Sequence, residues 1–439
     1  LWTSPLPSTP IPSVLPPSQT ASVLLPRPLH TQPDPPSLQV DVDHRHLDHV
    51  PGLHHLLRIC DIVVRHLREL HQPNLHDAND HERVTETPRW RQALIRPELG
   101  ASCGFILVCI LFFSIARDSG MFSADGILNW STVSAQFMII AVGACLLMIA
   151  GEFDLSVGSM IGFAGILIAI TSVHYGWPMW LSILFTFACT LALGALNGYI
   201  VVRTGLPSFI VTLAFLYILR GLTISISIFF TRKTIIGGVS KIAEGDWFAP
   251  LFGGKVGNFF FVWLAKVGII GTYNDGSPLI EGIPALVIWA LVLIVVGHVV
   301  LQHTQFGNWI FATGGDSLSA RYVGVPINQV KIILFMFTAF CATVFATCQV
   351  MEFGSAAADR GLLKEFEAII SVVIGGALLT GGYGSVIGAA LGALIFGVVQ
   401  QGLYFAGVES SLFRVFLGVI LLVAVIFNSY IRRMITGER

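Results

Sequence analysis

Apolar residues form long runs along most of this chain, and shorter polar stretches separate them. A helix needs about 20 residues to cross the hydrocarbon core of a bilayer. The runs predict spans near residues 100–116, 132–150, a third ending near 173, 179–202, 208–230, 283–301, 332–350, 369–379, 384–405 and 411–430. The eighth run is short and contains glycine. The pattern therefore predicts an all-α membrane protein with about ten transmembrane helices.

Composition supports a membrane protein. The chain has 439 residues, of which 54% are apolar and 12% charged, and its mean hydropathy is +0.76. Soluble domains carry about 25% charged residues. The net charge of −1 argues against nucleic-acid binding. The seven cysteines have no CxxC spacing and favour packing roles over a metal site or a disulfide framework.

Residues 1–97 differ from the rest of the chain. Residues 1–40 hold 11 of the 21 prolines, and residues 1–90 hold 10 of the 13 histidines. The histidines permit a metal site, but the composition favours a disordered extension or sequence translated upstream of the true start. We expect translation to start near Val84, because VTETPRWRQALIRPELG is typical of a short basic lead-in to a first span. The transmembrane domain is then 98–434, with a polar external loop at 231–282.

The polar segment 304–331 lies between two predicted spans and must therefore contact water. Residues 317–323 can form two helical turns along the membrane surface, between Gly314-Gly315 and Gly324. A short helix held by two spans is a docking element for a soluble partner. An ordinary interfacial loop is the alternative.

Ionisable residues beside or within the apolar runs are candidates for function, because charges at that depth are costly. Glu152 and Asp154 precede the third span, where they either cap its helix or face a cavity or a partner. Arg220 falls in the middle of the fifth span. It either lines a solute path or makes a structural pair with protein groups.

Glycines interrupt the apolar pattern between residues 375 and 392. Broken helices can present backbone groups to a solute, but the series Gly384, Gly388 and Gly392 also suits plain helix packing. Both interpretations remain open from the sequence.

Several of these motifs together resemble the permease subunits of ribose/xylose-type ABC sugar importers. The 304–331 segment contains FGNWIFATGGDSLSARYVGV, with family departures at Asn308, Asp316, Ser319 and Val325. GEFDLSVGS at 151–159 is the most specific match, and GLPSFIVTL, EFEAIISVVIGG and LTGGYGSVIG follow in family order; Glu367 replaces the usual Asp. The resemblance covers about residues 100–430.

The resemblance implies a vitamin-B12-importer-like permease architecture and assigns residues to two roles. The expected ATPase-coupling residues are Gly307, Gly314, Gly315, Asp316, Ala320, Arg321 and Gly324. The signature and candidate pathway residues are Asp154, Ser156, Gly158, Ser159, Asn197, Pro207, Arg220, Glu367, Gly375, Gly376, Gly381 and Gly382.

The resemblance also implies partners and a location. ABC ATPase subunits, an external sugar-binding protein, a second permease subunit in a homodimer, and lipid are expected, in a bacterial inner membrane with both termini cytoplasmic. The chain has no G-x-x-x-x-G-K-[ST] motif, so Mg-ATP is expected on the partner ATPase. HExxH is also absent, and we expect no catalytic or metal site in this chain. A branched-chain amino-acid permease, an ion-coupled carrier and a membrane scaffold remain alternatives.

Overall fold

The computed structural model describes residues 97–116, 119–268, 270–273, 278, 280–409 and six positions between 412 and 422. The predictions for the Pro/His-rich extension and for a start near Val84 lie outside these residues. So does most of the span predicted at 411–430.

The described residues are mostly helical. The helices are α1 (Pro97–Ile115), α2 (Ala124–Ile149), α3 (Val157–Ala169, continued by a π turn, Ile170–His174), α4 (Met179–Thr204), α5 (Ser208–Thr231), α6 (Val239–Ala243), α7 (Pro250–Gly253), α8 (Asn258–Lys266), α9 (Ala285–His303), α10 (Gln305–Gly315), α11 (Ser317–Tyr322), α12 (Ile327–Phe353), α13 (Lys364–Ile374) and α14 (Val386–Phe405). The strands are β1 (Ile235–Gly237), β2 (Lys255–Val256), β3 (Ile283–Pro284) and β4 (Ser355–Ala357).

Seven helices in the described part of the chain are long and apolar enough to cross a membrane. They are α2, α3 with its π turn, α4, α5, α9, α12 and α14. This confirms a mainly helical, multi-span protein. α1 is a shorter apolar helix over Gly100–Ile115.

Three predicted boundaries were wrong. α12 begins at Ile327 instead of 332. Its first turns bury Ile327 and Val330 and leave the polar residues between them at the surface, so the helix starts before the apolar run does. α2 begins at 124 instead of 132, where Ser123 caps the helix by accepting a hydrogen bond from the backbone N–H of Gly126. The eighth span, predicted at 369–379, is the helix α13 followed by a non-helical segment at 375–385.

The centre of the bundle is formed by α2 and α3, which are mostly buried, and α12, α13 and α14 pack around them. Only about a third or fewer of the residues in the apolar parts of α4, α5 and α9 are buried. Water does not favour such faces, so they suit lipid or another subunit.

Two short antiparallel strand pairs connect the ends of several spans. These ends lie at the end of the bundle opposite the 304–331 segment. β1 pairs with β4 and β2 pairs with β3, with Ile235 opposite Ala357 and Val256 opposite Ile283. The 231–282 loop is thereby fixed to the ends of α5, α9 and α12. The bundle has a 304–331 end and, opposite it, a 231–282 end.

Candidate functional site

The 304–331 segment contains two helices. α11 (Ser317–Tyr322) confirms the position predicted for a short surface helix. α10 (Gln305–Gly315) was missed, because its three glycines disfavour a helix by about 1 kcal/mol each relative to alanine. Gly307, Gly314 and Gly315 thus lie within a helix, not in a loop.

The start of α11 is held by Asp316. Its Oδ1 accepts hydrogen bonds from the backbone N–H groups of Leu318 (2.9 Å) and Ser319 (3.1 Å), and its Oδ2 accepts one from the Ser319 hydroxyl (2.6 Å). The Ser319 hydroxyl and these N–H groups hold the pKa of Asp316 below its usual value. Asp316 is therefore a charged cap that keeps the short helix formed at neutral pH.

Most of α11 is exposed to solvent. Ala320 is buried and anchors the helix, whereas Leu318, Arg321, Tyr322 and Val323 are exposed. Gly324 has a φ of +88° and ends the helix. α11 therefore presents apolar side chains and one cation on a surface that nothing in the described part of this chain covers.

The end of α10 is in close backbone contact with two other segments. A Cβ on Gly314 would lie 1.8 Å from the carbonyl oxygen of Ile149, and the same oxygen accepts a hydrogen bond from the N–H of Gly382 (2.8 Å). Gly381 and Gly382 have φ values of +82° and +75°. Three predicted residues from two motifs therefore meet at the end of α2, but no atom lies near a Cβ built on Gly315.

An open groove of about 410 Å³ lies between α11 and the α4–α5 turn. Arg321, Pro207 and Lys331 line it, together with Glu152. Lys331 on α12 forms a salt bridge with Glu152. Of the two interpretations left open for Glu152, the structure supports the one in which it faces a partner, because a cation at the start of α12 binds its carboxylate.

Asp154 lies in a polar network in front of α3. Its Oδ1 accepts hydrogen bonds from the N–H (2.8 Å) and the hydroxyl (2.5 Å) of Ser156, and its Oδ2 lies 2.8 Å from the Thr338 hydroxyl on α12. Asn197 on α4 donates from Nδ2 to the Ser156 hydroxyl (2.9 Å). Asp154 therefore orders the turn before α3 and joins it to two other helices.

Hydroxyls at the start of α5 hold the same turn. Ser208 and Thr212 accept hydrogen bonds from the N–H groups of Phe153 (3.0 Å) and Leu155 (3.1 Å). Pro207 occupies the position directly before α5. The GEFDLSVGS and GLPSFIVTL motifs are thus parts of one site.

The non-helical segment 354–363 and the start of α13 lie against the first turns of α3. A Cβ on Gly158 would lie 1.9 Å from Glu365 Oε2 and 2.4 Å from the carbonyl oxygen of Gly361. Ser159 donates a hydrogen bond to the carbonyl oxygen of Leu216 on α5 (2.9 Å). Gly158 and Ser159 therefore allow α3 to pack closely against two neighbouring segments.

Glu367 and the glycines after it make packing contacts. Glu367 pairs with Lys364 at 2.5 Å within α13. A Cβ on Gly375 would lie 2.3 Å from the carbonyl oxygen of Gly388, and one on Gly392 would lie 2.0 Å from that of Ser371. Helix packing is thus confirmed for Gly388 and Gly392, and Gly376, with a φ of +86°, turns the chain after α13.

Sequence reasoning missed two important residues. Lys331 is the last residue of the polar segment 304–331 and was not identified as a site residue. Glu365 lies in the EFEAIISVVIGG motif but was not among the candidate site residues. Glu365 is only 2% exposed. Its Oε2, like Nη2 of Arg220, has no hydrogen-bond partner in the structure.

The helices and their polar turns define a multi-pass membrane protein. Residues 126–425 match the family described as branched-chain amino acid transport system / permease component, and the chain belongs to that family.

Several proteins similar to this chain are sugar permeases. The chain is 31% identical to the xylose transport system permease protein XylH of Escherichia coli (strain K12) over 360 residues, which are 75% of this chain and 91% of XylH. It is 31% identical to XylH of Haemophilus influenzae over 73% of this chain and 93% of that protein. It is 27% identical to the ribose import permease protein RbsC of E. coli (strain K12) over 79% of this chain and 99% of RbsC. These matches confirm the resemblance to sugar-importer permeases. No solved structure matches the chain.

Proposed function

We propose that this chain is the transmembrane permease subunit of an ATP-driven ABC importer that moves a monosaccharide into the cell by alternating access. The main support for this proposal is α11, a capped and exposed helix that lies between two spans. The chain belongs to a permease family, and its relatives XylH and RbsC are named as xylose and ribose permeases. A pentose is therefore the first substrate to test.

The other parts of the importer are separate chains. Two ATPase subunits bind and hydrolyse Mg-ATP, an external binding protein delivers the sugar, and a second copy of this chain completes the pathway. The chain crosses the bacterial inner membrane about ten times in a vitamin-B12-importer-like arrangement, with both termini in the cytoplasm. This chain itself is a transport subunit and hydrolyses nothing.

The contacts of α11 support a role in transmitting force. Ala320 seats the helix, while Gly314 and Gly382 bring the preceding helix against the end of α2. Closure of the ATPase subunits pushes α11, and because these contacts are close, the push moves α2 and α12 together. Motion of a rigid element between two arrangements is what such coupling requires.

The experiment is uptake by the reconstituted importer in proteoliposomes. D-xylose and D-ribose should enter in an ATP-dependent and vanadate-sensitive way, whereas a proton uncoupler should have no effect. Uptake of L-leucine instead would support an amino-acid permease. Uptake abolished by the uncoupler would indicate an ion-coupled carrier, and no uptake at all would indicate a scaffold.

Variants of α11 test the coupling assignment. Arg321→Glu and Gly315→Pro should uncouple ATP hydrolysis from transport while the protein still inserts into the membrane. Arg203→Glu is the matched control, because Arg203 is exposed at the same end but lies outside α11. If ATPase co-purification and sugar uptake survive both changes in the 304–331 segment, the coupling assignment is wrong.

A further inference from the structure

α8 (Asn258–Lys266) in the 231–282 loop is an apolar helix without a buried side chain. Its sequence is NFFFVWLAK, in which Lys266 is the only charged residue, and none of its nine residues is buried. At about 1.5 Å per residue the helix is about 14 Å long, roughly half of what a membrane crossing needs. An apolar helix of this length belongs either in a protein core or at a membrane surface. The first is excluded for α8, because no side chain is buried.

The exposed side chains of α8 form one apolar stripe, which consists of Phe259, Phe260, Trp263 and Val267. They are 89%, 54%, 51% and 54% exposed. At 3.6 residues per turn these positions fall within about 100° of the helix circumference. The rings of Phe260 and Trp263 stack with their centroids 6.1 Å apart. The apolar residues on the rest of the circumference are partly buried, so the stripe points away from the protein.

Two contacts fix the depth of the segment that leads into α8. Lys255 in β2 pairs with Pro284 in β3, the residue directly before α9. Trp289, one turn inside α9, donates a hydrogen bond from Nε1 to the carbonyl oxygen of Leu251 (2.9 Å), and its ring stacks on Phe252 with the centroids 5.2 Å apart. The chain therefore enters α8 beside the first turn of a span, at the level where hydrocarbon meets the lipid headgroups.

We propose that α8 lies in the membrane surface with its apolar stripe inserted among phospholipids, and that it anchors the 231–282 loop to the bilayer. Phenylalanine and tryptophan side chains suit this boundary, and Lys266 at the end of the helix can extend its ammonium group to a lipid phosphate. The stripe has one hydrogen-bonding group, the indole N–H of Trp263. A protein partner would find few of the hydrogen bonds that protein interfaces contain, whereas acyl chains need none.

Photo-cross-linking identifies what the stripe contacts. The full-length chain carrying Phe259→p-benzoylphenylalanine is reconstituted into liposomes of phosphatidylethanolamine and phosphatidylglycerol, with the binding protein added outside, and is irradiated. Mass spectrometry of the peptide that contains residue 259 should show a phospholipid adduct. Glu244→p-benzoylphenylalanine is the matched control, because Glu244 is exposed in the same loop but lies outside α8; it should give at least tenfold less lipid adduct. Cross-linking of residue 259 to a second copy of the chain or to the binding protein, without a lipid adduct, would overturn the proposal.

Hydrogen exchange tests whether lipid holds the helix. A nine-residue helix with no buried side chain is not stable in water by itself. In lipid nanodiscs, the backbone amides of α8 in Phe259→Ser/Trp263→Ser should therefore exchange about tenfold faster than in the wild type. Serine, phenylalanine and tryptophan have similar helix propensities, so the substitutions themselves do not disfavour the helix.

Trp247→Ser is the control for that measurement. It removes a side chain that is 78% exposed in the same loop, outside α8, and should leave the exchange of α8 unchanged. Equal exchange of α8 in the double variant and the wild type would overturn the proposal. Neither experiment measures transport, so the result is independent of the proposed function.

Discussion

Acidic residues in this chain take different roles because their surroundings differ. Asp316 is exposed and caps a short helix, Glu152 pairs with a lysine, and Asp154 is bound by hydroxyls. All three lie in or beside polar interruptions of the apolar pattern, so sequence alone does not separate their roles. The partner that decides each role lies up to 184 positions away along the chain.

The cap of α11 predicts a contrast between two substitutions of Asp316. Asp316→Ala removes the acceptor of two backbone N–H groups, so backbone amides of α11 should exchange hydrogen about fivefold faster. Asp316→Asn keeps a capping oxygen and should leave exchange nearly unchanged. Hydrogen-exchange mass spectrometry of the protein in lipid nanodiscs measures both, and equal exchange in Asp316→Ala and the wild type would disprove the cap.

The lowered pKa of Asp316 fixes the pH range in which this cap works. A carboxyl whose pKa is lower in the folded state stabilises that state above its unfolded pKa, and loses this effect as the pH falls through the folded value. Protection of α11, corrected for intrinsic exchange, should therefore be constant between about pH 6 and 8 and fall only in acid. A loss of protection centred near neutral pH would contradict this assignment.

Adjacent glycines at the end of α10 should respond in opposite ways to alanine. Gly314→Ala places a methyl group against the Ile149 carbonyl, so we expect a loss of about 1–3 kcal/mol in the free energy of unfolding. Gly315→Ala meets open space and should be neutral or slightly stabilising. Denaturant unfolding in detergent compares the pair, and equal stabilities would show that the close contact is absent.

At the scale of elements, long apolar runs predicted the spans well because a bilayer demands the same length and apolarity of each. α10 was not predicted, since its three glycines disfavour a helix that tertiary packing stabilises. α13 contains no glycine, but its predicted range ran on through Gly375 and Gly376, which follow its end at Ile374. The position of α11 was predicted because Gly314-Gly315 and Gly324 are local signals that need no distant partner. The joining of the 151–159 and 207–213 motifs into one site depends on contacts that no local pattern contains.

The ion pair between Glu152 and Lys331 links the turn before α3 to the start of α12. Both side chains are mostly buried, so Lys331→Met should leave the carboxylate without its cation and destabilise the protein by about 2 kcal/mol. Transport per ATP should fall as well, because the link lies between α11 and the bundle core.

The exchanged pair is the control for that link. Glu152→Lys/Lys331→Glu should recover most of the lost stability, whereas each reversal alone should not. Stability is measured by denaturant unfolding and coupling by sugar moved per ATP. If each single reversal behaves like the wild type, the ion pair has no structural role.

At the scale of the whole molecule, the two ends of the bundle carry different chemistry. The 304–331 end presents α11 and the groove beside it. The 231–282 end presents a loop held by two strand pairs, with Trp247 strongly exposed. Such a division suits a protein that meets a different soluble partner on each side of the membrane.

The side of the membrane that each end of the bundle faces can be tested, because the helices fix the direction of the chain between the two ends. α9 leads from the 231–282 end to the 304–331 end, and α12 leads back, so Trp247 and Tyr322 lie at opposite ends; they are 78% and 82% exposed. In intact cells, with outer-membrane access provided, a membrane-impermeant maleimide should label Trp247→Cys but not Tyr322→Cys above the wild-type background. Inverted vesicles should show the reverse, because the proposed coupling role requires α11 to face ATPase subunits in the cytoplasm. Labelling of Tyr322→Cys from outside would place α11 out of their reach and would rule out an ATP-driven importer coupled through this helix.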